Sequence, residues 1–406
     1  MSKGKDTKPH IGIFGRRNNG KSSLINALTG QDVAIVSEIA GTTTDPVKKS
    51  TEIAGIGPVI LVDTAGIDDT GELGKKRVDK TLHTLSTLDA AILVIAGNIF
   101  GESEESLISL FKKYDIPFLI VHNKADQGPL SEGLKESLSS YHVVDYSSFQ
   151  PENEKITDQL VKIIPETIYR NRSLLGDIIN QGDLVLLITP VDTEAPEGRL
   201  ILPQVQVIRD VLDNSGIAIV AKETEIEALI KKLNPRPVLA ITDSQVFAKA
   251  NALIPPDIAL TSFSIVLARS KGDFAKYQEG TPKIDGLKDG DRVLIMESCT
   301  HHVTCDDIGR VKLPRWLLNY TGKKLDFDIV SGIDLSARPL ESYSLVVQCG
   351  GCMFTRKQLL NRLKPYIEAG VPVTNYGMTI AWIHGIYQRV TSPFVKNGSI
   401  TNEQVQ

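Results

Sequence analysis

An α/β chain in three blocks is what this sequence predicts: a phosphate-loop domain followed by two smaller α/β domains. Three observations point there. From residue 11 onward, short apolar runs alternate with amphipathic stretches, the pattern of β-α-β units around a mainly parallel sheet. A G-x-x-x-x-G-K-S segment falls between the first apolar run and the first amphipathic stretch, where a strand-to-helix turn belongs. At 406 residues the chain also exceeds one ordinary domain.

The elements follow in order. Strands are expected at residues 11–14, 59–62, 91–95 and 118–121, and helices at 21–28, 75–85, 104–114, 130–138 and 157–168. Residues 170–175 read as a linker, so the first domain is placed at 1–172. A second α/β block, 176–262, carries strands at 184–189, 217–220 and 238–242 with helices at 204–212, 224–233 and 245–253. It has no cysteine and no phosphate loop, so its pattern predicts packing and nothing about chemistry. The Pro255-Pro256 pair and residues 273–282 mark the next boundary. The third block, 265–406, shows strands at 292–296, 345–347 and 371–373 and helices at 311–321, 356–369 and 378–387.

Composition narrows the setting. Hydrophobic residues make up 41% and charged residues 23%, the balance of a soluble globular protein. A net charge of −4 supplies no basic field for nucleic acid. The first ten residues lack the apolar core of a signal peptide, and no run is long enough to span a bilayer. A cytoplasmic protein with no membrane or nucleic-acid partner is the expectation. All four cysteines (Cys299, Cys305, Cys349 and Cys352) lie in the last third. In a reducing compartment such clustering points to a metal or redox site rather than to disulfides.

The phosphate loop is Gly15-Arg16-Arg17-Asn18-Asn19-Gly20-Lys21-Ser22, with Ser23 continuing into the helix. Gly15 and Gly20 let backbone N–H groups converge on phosphate oxygens, and the helix N-terminus adds its positive end. Lys21 is expected to neutralise the β- and γ-phosphates and Ser22 to ligate Mg²⁺. Asp63-Thr64-Ala65-Gly66 follows a strand, so Asp63 can reach the metal through water and Gly66 can offer its amide to the γ-phosphate. Asn123-Lys124-Ala125-Asp126 follows another strand; Asp126 can accept from guanine N1 and N2, and Lys124 can lie along the base. Three motifs in this order predict GTP rather than ATP.

Gly41-Thr42-Thr43-Thr44-Asp45 resembles the first switch segment of Era/TrmE-type GTPases, and that resemblance makes Thr43 the residue completing the Mg²⁺ shell. Ser147 is the candidate for the loop that backs the guanine. Ile67 stands where Ras-like enzymes place a water-positioning Gln, so hydrolysis is expected to be slow or assisted. Asn18 matches the phosphate-loop asparagine that holds K⁺ in TrmE-like GTPases; its plainer reading is a polar turn residue. Glu72 is a candidate water-orienting carboxylate, against a plainer reading as an exposed acid at a helix start.

Cys349-Gly350-Gly351-Cys352 follows a predicted strand, as does Cys299-Thr300-His301-His302, so both sit where α/β sheets collect ligands. Three thiolates with a nearby His fit tetrahedral Zn²⁺. Three thiolates equally fit a 4Fe–4S cluster with one open iron. Residue types alone leave zinc and iron–sulfur even; buried apolar cysteines or a dithiol redox pair explain less.

Cys-x-His, a long gap, and Cys-x-x-Cys behind an Era/TrmE-like domain resemble the HydF family of FeFe-hydrogenase maturation GTPases. The block 199–206 and Thr374-Asn375-Tyr376-Gly377 share the likeness, which covers nearly the whole chain. The resemblance implies that Cys299, Cys349 and Cys352 ligate a 4Fe–4S cluster, with His301 beside it and available as an exchangeable fourth ligand. It further implies a dimerisation role for 176–262 and cluster binding for 265–406. The expected task is to carry the 2Fe precursor of the hydrogenase active site and hand it to apo-FeFe-hydrogenase. Two radical-SAM maturases would be further partners, the chain acting as a homodimer. Gln348 departs from the family's usual His before Cys-x-x-Cys, which leaves the fourth ligand open among His301, Asp306, Asp307, water and the precursor. Cys305 and His302 are read as non-ligating. The competing expectation is an Era/TrmE-like GTPase of tRNA or ribosome maturation with structural zinc; a plain regulatory GTPase binding no metal is a third.

Overall fold

The computed structural model describes residues 8–29, 47–64, 84–85, 87–165, 173–190, 200–298, 307–332, 336, 338–352 and 354–395. The chain divides into two compact units, Met1–Asn171 and Arg172–Gln406.

In the first unit the apolar runs form β1 (His10–Gly15), β3 (Gly57–Asp63), β4 (Ala90–Ile95), β5 (Phe118–His122) and β6 (Val143–Asp145), with β2 (Val47–Ile53) at one edge. Their order is β2-β3-β1-β4-β5-β6, parallel except for the antiparallel β2–β3 pair. The strands are apolar on both faces because helices cover both. On one side Leu24 and Ile25 of α1 (Lys21–Thr29) join Ile156 and Leu160 of Asn153–Ile163 over Ile11, Leu61 and Val94. On the other, Leu107 and Phe111 of α2 (Glu102–Lys113) cover Phe14, Leu93 and Ile120. The sequence pattern does not disclose β2: its mostly polar VKKSTEI run is largely exposed, as an edge strand can be.

The second unit holds two parallel four-stranded sheets. The first has the order β10-β9-β7-β8, with β7 (Leu184–Ile188), β8 (Ile217–Ala221), β9 (Leu239–Thr242) and β10 (Ala259–Ser262). The second has the order β12-β11-β13-β14, with β11 (Arg292–Met296), β12 (Asp326–Val330), β13 (Leu345–Gln348) and β14 (Val373–Asn375). One apolar core serves both: Leu186, Phe247 and Leu260 from the first block join Val293, Val346 and Leu363 from the second.

Residues 273–282, expected to mark the boundary into the third block, are helical. Asp273 caps Phe274–Gly280 by accepting from the Lys276 N–H, and that cap overrides the local Gly and Pro signals. The segment Phe263–Lys271 is also a helix, started by the Ser262 hydroxyl. β12 escapes the sequence pattern because its DFDIV run is acidic and lies at a sheet edge. The strand expected at 371–373 sits two residues later. The helix expected at 378–387 splits into Tyr376–Ile383 and Tyr387–Thr391.

Candidate functional site

Register brings the three nucleotide motifs to one sheet edge. Gly15 pairs with Val94, Ile13 with Asp63, and Ile95 with His122, so the phosphate loop, Asp63 and Asn123 emerge together at the carboxyl ends of β1, β3 and β5. β1 lies between β3 and β4, the point where strand order reverses and α/β sheets bind ligands.

Within the loop, Asn19 is buried and donates through Nδ2 to the Val94 carbonyl at 3.0 Å, anchoring the turn on β4. Gly20 has φ +87°, and a Cβ there would stand 2.2 Å from Asn123 Nδ2, so only glycine fits. Lys21 Nζ donates to the carbonyls of Gly15 (3.0 Å) and Arg16 (2.9 Å), which holds the ammonium over the loop. Ser22 and Ser23 are exposed at the start of α1. Ser22 Oγ lies 3.3 Å from Asp63 Oδ2, so a hydroxyl and a carboxylate converge as a hydrated Mg²⁺ requires. Burial pushes the Asp63 carboxyl up, against the opposing pull of Lys21, the Ser22 hydroxyl and Lys49; a divalent cation would relieve that cost. Asn18 is exposed with φ 65°.

At the base end, Asn123 is buried, and the Ser148 hydroxyl donates to its Oδ1 at 3.1 Å. Lys124 has φ 59°, and the Ala125 N–H bonds to the Tyr146 carbonyl at 3.1 Å. The Ser147 hydroxyl donates to Asp126 Oδ1 at 2.6 Å, so Ser147 positions the carboxylate assigned to guanine. Thr43, Gly66, Ile67 and Glu72 lie outside the described residues.

Sequence reasoning missed one ion pair here. Arg16 grips the fully buried Glu104 through Nε (2.7 Å) and Nη2 (2.8 Å), and Glu104 also accepts from the Gly101 N–H at 3.0 Å. The phosphate loop is thereby tied to the start of α2. In the sequence, Glu104 looks like any acid in a first helical turn.

The second candidate site lies at the carboxyl edge of the second sheet in the C-terminal unit. Met296 pairs with Gln348 and Gln348 with Asn375, which sets Ser298 beside Cys349. The Ser298 N–H lies 3.1 Å and its Oγ 2.9 Å from Cys349 Sγ, with Gln348 Nε2 at 3.4 Å. Gln348 is fully buried, and Asn375 Nδ2 donates to its carbonyl at 3.2 Å. Gly351, at φ +66°, turns the chain between Cys349 and Cys352; both thiols are half-buried. Two sulfurs on one glycine turn, with backbone and side-chain polar groups aimed at one of them, are a donor set that fits iron or zinc. Cys299, His301, His302, Cys305 and Asp306 lie outside the described residues, and among the described residues no three His, Cys, Asp or Glu converge as a metal site. Asp307 caps the π-helical turn Ile308–Lys312 by accepting from the Arg310 N–H at 2.8 Å.

A model described as hydrogen maturase F dimerization domain matches residues 174–272, and one described as hydrogen maturase F tetramerization domain matches 275–393. The chain belongs to the hydrogen maturase F (HydF) family. A model described as 50S ribosome-binding GTPase matches residues 10–124, and the N-terminal unit is a GTPase domain. Both maturase modules are named for assembly, in keeping with a homo-oligomer.

Relatives match the GTPase part. GTPase Der of Wolinella succinogenes is 42% identical over 120 residues, covering 29% of this chain and 25% of that protein. The tRNA modification GTPase MnmE of Nitrosomonas eutropha is 38% identical over 121 residues, covering 29% of this chain and 27% of that protein. The chain thus spans about a quarter of the length of these relatives. A crystal structure of Aquifex aeolicus Era bound to GDP and aluminium fluoride aligns at 20% identity and a TM-score of 0.34, covering 52% of this chain and 92% of that one. Among the described residues no helix is long and apolar enough to cross a membrane.

Proposed function

We propose that this HydF-family GTPase is a 4Fe–4S scaffold that carries the 2Fe precursor of the FeFe-hydrogenase active site and delivers it to apo-hydrogenase. The observation that supports the reading is the pair Cys349 and Cys352 on a glycine turn, with Ser298, the residue preceding Cys299 in the chain, donating to Cys349 Sγ. Cys299, Cys349 and Cys352 would hold the cluster, and His301 or the precursor would fill the remaining iron position. When bound, the cluster supplies an iron that can accept a bridging ligand of the precursor. Ser298 and Gln348 orient the Cys349 sulfur by donating to it, and Asn375 holds the Gln348 backbone.

In the GTPase unit, Lys21 meets the β- and γ-phosphates, Ser22, Thr43 and Asp63 organise Mg²⁺, and Asp126 reads guanine with Ser147 behind it. Gly66 offers its amide to the γ-phosphate. Hydrolysis is slow because Ile67 cannot orient water; K⁺ at Asn18 and the Glu72 carboxylate assist it. Nucleotide turnover acts as a switch on association with the hydrogenase and the radical-SAM maturases, not as part of cluster chemistry. Residues 1–172 form the GTPase domain; the dimerisation and cluster domains expected at 176–262 and 265–406 are read with their boundary moved to 272–275, where the two maturase models meet, in a cytoplasmic homodimer able to pair further.

Anaerobic reconstitution with iron and sulfide tests the reading. A brown protein with an EPR signal on reduction supports it. A colourless protein with stoichiometric zinc overturns it in favour of a zinc-bearing GTPase.

A further inference from the structure

We propose that Lys271 is a positioning residue of the thiol turn: an ammonium from the dimerization module that grips the carbonyls of Gly351, Cys352 and Phe354 and sets the charge beside the sulfurs. The proposal rests on reading Cys349 and Cys352 as cluster ligands.

Lys271 ends the helix Phe263–Lys271, inside the segment matched by the dimerization model. The loop belongs to the segment matched by the tetramerization model. Lys271 Nζ donates to the carbonyls of Gly351 (3.1 Å), Cys352 (3.3 Å) and Phe354 (3.0 Å). Three carbonyl acceptors match the three N–H bonds of an ammonium and use every donor it has, offsetting the burial that draws its pKa below the usual lysine value.

The grip has a reciprocal half. Arg356, two residues beyond Phe354, donates through Nη1 to the carbonyls of Ser270 (2.8 Å) and Gly272 (3.2 Å), which flank Lys271. Each segment therefore holds the other's backbone. The turn needs such a hold: Gly350 and Gly351 leave the backbone freer than any other pair of residues would. Five hydrogen bonds from two cations remove that freedom, at a half-buried site where each is stronger than in water.

The charge has its own consequence. Reduction of a thiolate-bound cluster adds negative charge, and a cation beside the ligands stabilises the added charge. Lys271 therefore raises the reduction potential of whatever cluster the turn holds. A residue outside the cluster's own module would then control both the shape and the potential of the site.

Lys271→Met in the full-length chain keeps similar bulk and removes the charge and all three donors. In metal-free protein, amide hydrogen exchange over residues 350–354 should be severalfold faster than in wild type, as read by peptide mass spectrometry. In reconstituted protein the EPR-monitored potential should fall, and Lys271→Arg should restore most of it. Unchanged exchange or an unchanged potential in Lys271→Met overturns the proposal. Should that variant not fold, Arg356→Met removes the reciprocal half, and unaltered exchange there overturns it equally. If wild-type protein takes up no iron, the cluster reading fails, while the exchange comparison still decides whether Lys271 positions the turn.

Discussion

The side-chain amide of Asn123 donates through Nδ2 to the backbone carbonyl of Asn19 at 2.9 Å, joining the guanine motif to the phosphate loop across 104 residues of chain. The same amide stands where a Cβ on Gly20 would be, so loop and reader are fitted to each other. Asn123→Ala leaves the Asn19 carbonyl without this donor in a buried setting, at a cost of about 1–3 kcal/mol. Thermal unfolding should shift down, and GTP affinity should fall with it. A variant with unaltered melting and binding would refute the coupling.

Lys21→Ala removes the cation assigned to the β- and γ-phosphates. Hydrogen bonds to charged groups contribute about 1.5–3 kcal/mol, so GTP affinity should fall by roughly 10- to 100-fold. Calorimetric titration with GTP measures it; wild-type affinity would remove Lys21 from the phosphate site.

The Arg16–Glu104 pair predicts a pH signature. Burial pushes the Glu104 carboxyl up, but the Arg16 guanidinium and the Gly101 N–H outweigh it, and the net position is below the ordinary carboxylate value. A depressed folded-state pKa adds stability above the unfolded value and loses it as pH falls through the folded one. Arg16→Met strands a buried carboxylate and should destabilise the unit by about 3 kcal/mol at neutral pH. The gap to wild type should narrow in acid. A difference that is the same at every pH would contradict this account.

For the monovalent cation, GTP hydrolysis should run faster in K⁺ than in Na⁺, and Asn18→Ala should erase the difference. Equal wild-type rates in the two salts would dispose of a K⁺ site at Asn18.

Cys349→Ser replaces the sulfur that Ser298 and Gln348 address. Iron uptake on anaerobic reconstitution should be lost, with GTP hydrolysis within about twofold of wild type, since the two sites share no residue. Loss of both activities together would contradict separate sites.

Local pattern carried much of this molecule. Strand–turn–helix spacing placed residues 15–22 at the end of β1, and N-K-x-D fell at the end of β5, because backbone approach to phosphate and base demands those residue types in those turns. Apolar runs covered on both faces, such as β4 and β11, announce themselves; edge strands such as β2 and β12 stay half-solvated, carry charge and look like loops. The cysteine spacing pointed to a metal or redox site but could not choose between zinc and iron–sulfur.

The sequence by itself determined the GTPase class and the α/β build, since each rests on short-range chemistry written in consecutive residues. Only the tertiary structure decided that Glu104 steadies the phosphate loop, that Ser298 addresses Cys349, that Lys271 grips the thiol turn, and that two sheets share one core. Those contacts join residues dozens of positions apart. A lysine at a helix end or a glutamate in a first turn has the same local pattern wherever the fold takes it, and burial beside a distant partner is what gives it a role.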